Sequence, residues 1–148
     1  MREVLGNKYG LAIAPAEILD NTAATGIAID TLGYNRLTVL FLIGASDVDV
    51  AAMGLEECAT SGGSYAAITA TAAAGTTGDG RLPQDDDDNK LFMISIPITP
   101  SRLRYIKPAI TAGNGSAGSY ICAVYILSNG TVDAITSTTR GLGGQIIV

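Results

Sequence analysis

The sequence predicts an all-β domain, a jelly-roll-like β-sandwich with extended N- and C-terminal arms. Three observations carry that expectation. Short apolar runs recur along the 148 residues and are bounded by Gly, Asn, Asp, Ser and Pro. Gly is abundant, at 18 residues, and with the many Thr and Ile it suits strands joined by turns. No stretch repeats its apolar residues at helical spacing over the ~11 residues an average helix needs.

In chain order, Gly26–Asp30 alternates as a short strand, and Leu32-Gly33-Tyr34-Asn35 reads as a turn. Arg36–Gly44 is the strongest strand and is apolar on both faces, which places it centrally with a cover on each side. Ala51–Ala59 is too short for a stand-alone helix and reads as a strand. Thr60–Ser64 then turns into a return strand at Tyr65–Thr69, and Thr69–Gly78 reads as a loop. Leu91–Ile98 resumes strand character. Its Pro97 cannot donate to a ladder, so this strand belongs at a sheet edge or ends there. Arg102–Thr111 alternates, Gly113–Gly118 reads as a hairpin turn, and Ser119–Leu127 is the last long strand. The expected core is Leu37, Val39, Phe41, Ile43, Ile94, Ile96, Ile106, Ile121, Val124 and Ile126. Residues 25–127 form the sandwich domain, 1–24 an N-terminal arm and 128–148 a C-terminal arm.

Composition narrows the function. A net charge of −5 and a pI near 4.4 argue against nucleic-acid binding, which needs clustered Lys and Arg. The chain has no His, which removes Ser–His and Cys–His nucleophile pairs and the commonest metal ligand. No apolar run approaches the ~20 residues of a membrane-spanning helix. Met1–Gly6 lacks the apolar core of a secretion signal, so Cys58 and Cys122 are expected as buried, reduced thiols. Charged residues are only 16% of the chain, and mean hydropathy is +0.33. No residue from Cys58 to Gly78 is charged, and from Pro108 to Val148 only Asp133 and Arg140 are. Stretches so poor in charge are a solubility hazard on a free monomer, so other chains are expected to cover part of the surface, with a homodimer or homotrimer ahead of larger states.

The candidate chemistry is thin. Asp85–Asp88 lacks the spaced carboxylates of a calcium loop and reads as a solvated acidic loop, with no metal site. Thr60–Ser64 lacks both the Gly-x-Ser-x-Gly order and a histidine base. Gly113–Gly118 has no Lys-Ser/Thr after it and no helix beginning there, so it does not read as a phosphate loop. No catalytic residue and no cofactor are expected. Arg102, Arg104 and Lys107 cluster beside Tyr105, either as contacts to an acidic partner surface or an anionic sugar, or as the solvent face of one strand. Ile146, Ile147 and Val148 end a tail too apolar for a solvated linker and are assigned, with that cluster, to a protein interface.

Four blocks carry a resemblance over roughly residues 26–127. They are Thr31-Leu32-Gly33-Tyr34-Asn35-Arg36-Leu37-Thr38-Val39, Leu55-Glu56-Glu57 leading to Gly62-Gly63-Ser64-Tyr65, Leu103-Arg104-Tyr105-Ile106-Lys107, and Ala123-Val124-Tyr125-Ile126-Leu127. Together they resemble the head decoration, or cement, proteins of tailed bacteriophages. The resemblance implies a virion structural protein on the capsid exterior that binds across major capsid protein subunits and stabilises the shell. No site residue transfers, because such proteins act through surfaces. The alternative is a carbohydrate- or receptor-binding module of a phage tail or cell-surface appendage, for which six Tyr and no Trp are a thin aromatic supply.

Overall fold

A computed structural model of the chain describes residues 6–15, 18–74, 82–131, 136 and 138–144. It is all-β, with two antiparallel sheets packed face to face. The strands are β1 (Lys8–Ile13), β2 (Ile18–Leu19), β3 (Ile29–Asp30), β4 (Arg36–Ser46), β5 (Ala52–Cys58), β6 (Ala66–Ala67), β7 (Ala73–Ala74), β8 (Leu91–Pro97), β9 (Tyr105–Thr111) and β10 (Ser119–Ser128). Sheet I has the order β1-β10-β4-β8, with β2 pairing the start of β10. Sheet II has the order β3-β9-β5-β6, with β7 also on β5. A single 3-10 turn at Thr69–Thr71 interrupts the stretch that the sequence presents as a loop.

The core lies between the inner faces. Leu37, Val39, Phe41 and Ile43 alternate inward from β4, while Leu55, Ile106 and Ile110 answer from sheet II. Seven of the ten expected core residues are buried, and Ile94 is half-buried against them. Val124 and Ile126 correct the expectation. Register pairs them with Leu40 and Thr38, which point outward, while Ile121, Ala123 and Leu127 of the same strand face the core. Successive strand residues face opposite sides, so Ile121 and Ile126 cannot share a face.

Two further expectations are corrected. Residues 8–13 are not part of an arm: they form β1 and pair with β10 over Lys8↔Leu127 to Ile13↔Ala123. Of the C-terminal stretch, 138–144 folds back on β1, where the Arg140 carbonyl accepts the Tyr9 N–H at 2.6 Å. Gly141 is required there. Its φ is +75°, and a Cβ would come within 2.0 Å of the Tyr9 carbonyl oxygen. The Gly113–Gly118 turn is not a hairpin, because it carries the chain from β9 in sheet II to β10 in sheet I.

Carboxylates organise that end of the sandwich. Asp47 accepts the N–H groups of Ser116, Ala117 and Gly118 at 2.7, 2.7 and 2.9 Å, and Asp20 accepts that of Gly115 at 2.9 Å. The acidic run is likewise fastened rather than merely solvated. Asp87 accepts from Gln84 N–H and pairs with Lys90 at 2.6 Å, and Asp88 accepts from Ser46 N–H. The N–H groups donated by Ala117 and Ser116 hold the Asp47 carboxyl below the usual carboxylate range. A depressed folded-state pKa contributes stability that is present above pH ~4 and lost as pH falls through the folded value. Acidification below about pH 4 is therefore expected to loosen 113–118 while the core persists. At neutral pH, Asp47→Asn should speed amide exchange of Ser116, Ala117 and Gly118 about tenfold. Unchanged exchange at these amides would contradict the anchoring role.

Candidate interaction surface

The predicted basic cluster lies on sheet II, and each of its cations meets a carboxylate of its own chain. Arg104 makes a bidentate pair with Asp30, at 2.8 and 2.7 Å, and its guanidinium lies 5.1 Å from the Tyr105 ring centroid. The Arg104 hydrogen bonds hold the Asp30 carboxyl low. Arg102 reaches Glu57 at 3.1 Å, and the second Glu57 oxygen accepts the Leu103 N–H. Lys107 lies 3.6 Å from Glu56, its cross-strand partner, and 4.5 Å from the Tyr65 ring centroid. The structure thus brings Arg102, Arg104, Tyr105 and Lys107 to one region, as a ladder of ion pairs rather than a free cationic patch. Such partly exposed pairs contribute little stability, typically ~0–1 kcal/mol each, and mainly fix register. Ile146, Ile147 and Val148 lie outside the described residues.

Among the described residues, most of the exposed large apolar side chains lie on the outer face of sheet I, which Leu142 and Gly143 border beside Leu11 and Val124. Of nine exposed large apolar side chains among the described residues, six lie there: Leu11, Ile18, Leu42, Leu91, Met93 and Tyr120. Register sets them in rows. Leu11, Val124, Leu40 and Met93 form one row across all four long strands, and Cys122, Leu42 and Leu91 form the next. Met93 and Leu91 are the most exposed of the six, at 66% and 63%. Among the described residues, the one charged side chain in register on this face is Arg36, at its end, donating to Ser95 Oγ at 3.0 Å.

Beside Tyr120 the face sinks into a depression of about 470 Å³, lined by Pro15, Leu42, Gly44, Leu91, Tyr120 and Cys122 with Asn89 and Lys90 at its rim. Gly44 lets Tyr120 approach closely, since a Cβ there would meet the Tyr120 Cβ at 2.9 Å. The Lys90 amine beside the depression is held by Asp87 at 2.6 Å. Among the described residues, no three His, Cys, Asp or Glu side chains gather as metal ligands, and no helix is long and apolar enough to cross a membrane.

Sequence reasoning called for a cover on this face but named none of its exposed apolar residues as an interface. The two-faced character of β4 and β10 called for a cover on both sides, and one cover, sheet II, is internal. The cysteines report on the two sides. Both are free thiols, Cys58 buried in sheet II and Cys122 half-buried on the outer face of sheet I. A thiol reagent is expected to modify Cys122 in the native protein and Cys58 only on unfolding, as read by mass spectrometry. Equal native labelling of both would contradict this placement. Comparison with protein-family models, curated proteins and solved structures finds no match to this chain.

Proposed function

We propose that this chain is a virion structural protein of bacteriophage type. In this reading it decorates the capsid exterior and stabilises the shell by binding across major capsid protein subunits, and it acts by contact rather than catalysis. The observation that carries this is the outer face of sheet I, which presents aligned apolar rows with Arg36, at one end, as the charged side chain in register among the described residues, on a chain of net charge −5. A face of that kind loses its exposed apolar area only against another surface. Long strands that alternate between sheets, with β4 and β10 in one and β5 and β9 in the other, support the jelly-roll-like form of the sandwich. The acidic balance suits a position away from packaged DNA. Self-association as a dimer or trimer belongs to the same reading, and many copies on a symmetric lattice add modest contacts into a strong clamp.

The test is a heat or low-salt challenge of purified capsids with and without the protein. Protection, with the protein retained on the particles, is expected. Equal survival together with loss of the protein on purification would reject the proposal. The depression beside Tyr120 favours the competing appendage reading, which binding to a glycan array would promote.

A further inference from the structure

The geometry points to β8 as a homodimer edge, where two copies pair their β8 strands antiparallel about a two-fold axis and join their sheets I into one. This rests on the self-association proposed above and not on capsid binding.

The hydrogen-bonding pattern shows which β8 groups are left over. Ile43 N–H donates to the Lys90 carbonyl at 3.0 Å, and Ile98 N–H donates to the Asn35 carbonyl at 2.8 Å. In the register Val39↔Ile94, these bonds make Phe92, Ile94 and Ile96 the residues whose backbone groups face β4. Leu91, Met93 and Ser95 therefore turn their N–H and C=O groups to the opposite side. Among the described residues no strand pairs there. Pro97 shares their parity, so its missing N–H costs no bond to β4.

The other long edge of sheet I is closed. Along β1, the Tyr9 N–H is taken by the Arg140 carbonyl, and the Ala12 carbonyl accepts from Ile27 N–H at 2.8 Å. An edge of this length, unpaired among the described residues, is the ordinary template for strand addition, and proteins that stay monomeric blunt it with charges or bulges. β8 has no charged residue.

The occupant that fits is a second copy of the same strand. Pairing Met93 with Met93 and Leu91 with Ser95 of the other copy matches every outward donor with an outward acceptor, and leaves Pro97 beyond the paired stretch. Uncharged edges let two chains of net charge −5 meet without like charges at the contact. Joining also enlarges the outer face: four strands ~4.8 Å apart and about seven residues long give roughly 450 Å² per copy, and two copies joined at β8 present one continuous face of about twice that. The symmetry commits the assembly to a dimer, because a two-fold edge pairing closes on itself.

The test uses the full chain. Sedimentation is expected to show a concentration-dependent species of twice the 15.1 kDa chain mass. Amide exchange of Leu91, Met93 and Ser95 should slow as that species forms. Met93→Pro removes an outward N–H while sparing the bonds to β4, and Met93→Lys keeps the N–H but sets two cations side by side on the axis. Both variants should be monomeric, with dimer affinity at least tenfold weaker and a wild-type circular dichroism spectrum. Three results would overturn the pairing: a dimer that persists in both variants, amides already protected in the monomer, or a wild-type chain that stays monomeric at high concentration. The first two leave self-association standing, whereas the third removes it as well. None bears on capsid binding, which the particle challenge reads separately.

Discussion

Val39→Asp is expected to abolish the folded protein, whereas Val124→Asp leaves it folded. Both valines sit in long apolar strands, and they are separated only by which face they occupy. Val39 is fully buried at the centre of sheet I, between Tyr125 and Ile94 in register. An aspartate there loses the ~1.5–3 kcal/mol of a buried valine. It also places a carboxylate without a partner in the core, at an effective cost of several kcal/mol. Total stability for a domain is about 5–15 kcal/mol, so the sum removes most or all of it. Val124 lies on the outer face in the row with Leu11 and Leu40, where a carboxylate can reach water. The expected loss is about 1 kcal/mol. Thermal unfolding followed by circular dichroism checks the contrast. Val39→Asp should show no cooperative transition, and Val124→Asp a transition displaced by a few degrees. Equal losses would mean that β10 presents its other face to the core.

The second large effect concerns binding. The double variant Leu11→Asp with Tyr120→Asp is expected to abolish retention on capsids, lowering occupancy at least tenfold in a co-sedimentation assay, while melting near the wild-type temperature. Leu11 and Tyr120 are 50% and 53% exposed and lie on β1 and β10, away from the β8 edge. Each carboxylate stays solvated in the free protein and is desolvated without a partner on docking, which costs binding far more than folding. Both changes spare the backbone pairing of β8, so the dimer should survive them. The separation matters, because docking is then lost while the dimer stays intact. The ion pairs of sheet II give the control. Arg104→Ala, which leaves Asp30 exposed, is expected to change capsid retention less than twofold. A variant of the apolar face that still binds, alongside an Arg104 variant that does not, would move the docking surface to sheet II.

The strands and their bounds were legible because short apolar runs between turn residues leave few alternatives. β4, β8, β9 and β10 lie where the runs place them, and β5 is a strand as its length required. Pro97 called for a strand that lies at an edge or ends there, and among the described residues β8 does both, since a residue without an N–H is tolerated where no ladder bond is due. The inward set of β4 could also be read, since Arg36 and Thr38 give its outer face some polarity.

Contrast between faces is what the sequence lacked elsewhere. In Ser119–Ser128 both parities are apolar, so nothing local distinguishes Ile121, Ala123 and Leu127 from Cys122, Val124 and Ile126. Only pairing with β4 decides which set turns inward. Membership of β1 in sheet I is likewise a tertiary result, made by bonds between residues more than a hundred positions apart. The same holds for the sheet change at 113–118 and for the carboxylates that neutralise Arg102, Arg104 and Lys107. By itself the sequence determined that the chain is a set of apolar strands poor in charge. The three-dimensional pairing decided which apolar face turns to the core and which is left exposed. That division arises because alternation along a strand is local, whereas the choice of face is fixed only by the strand beside it.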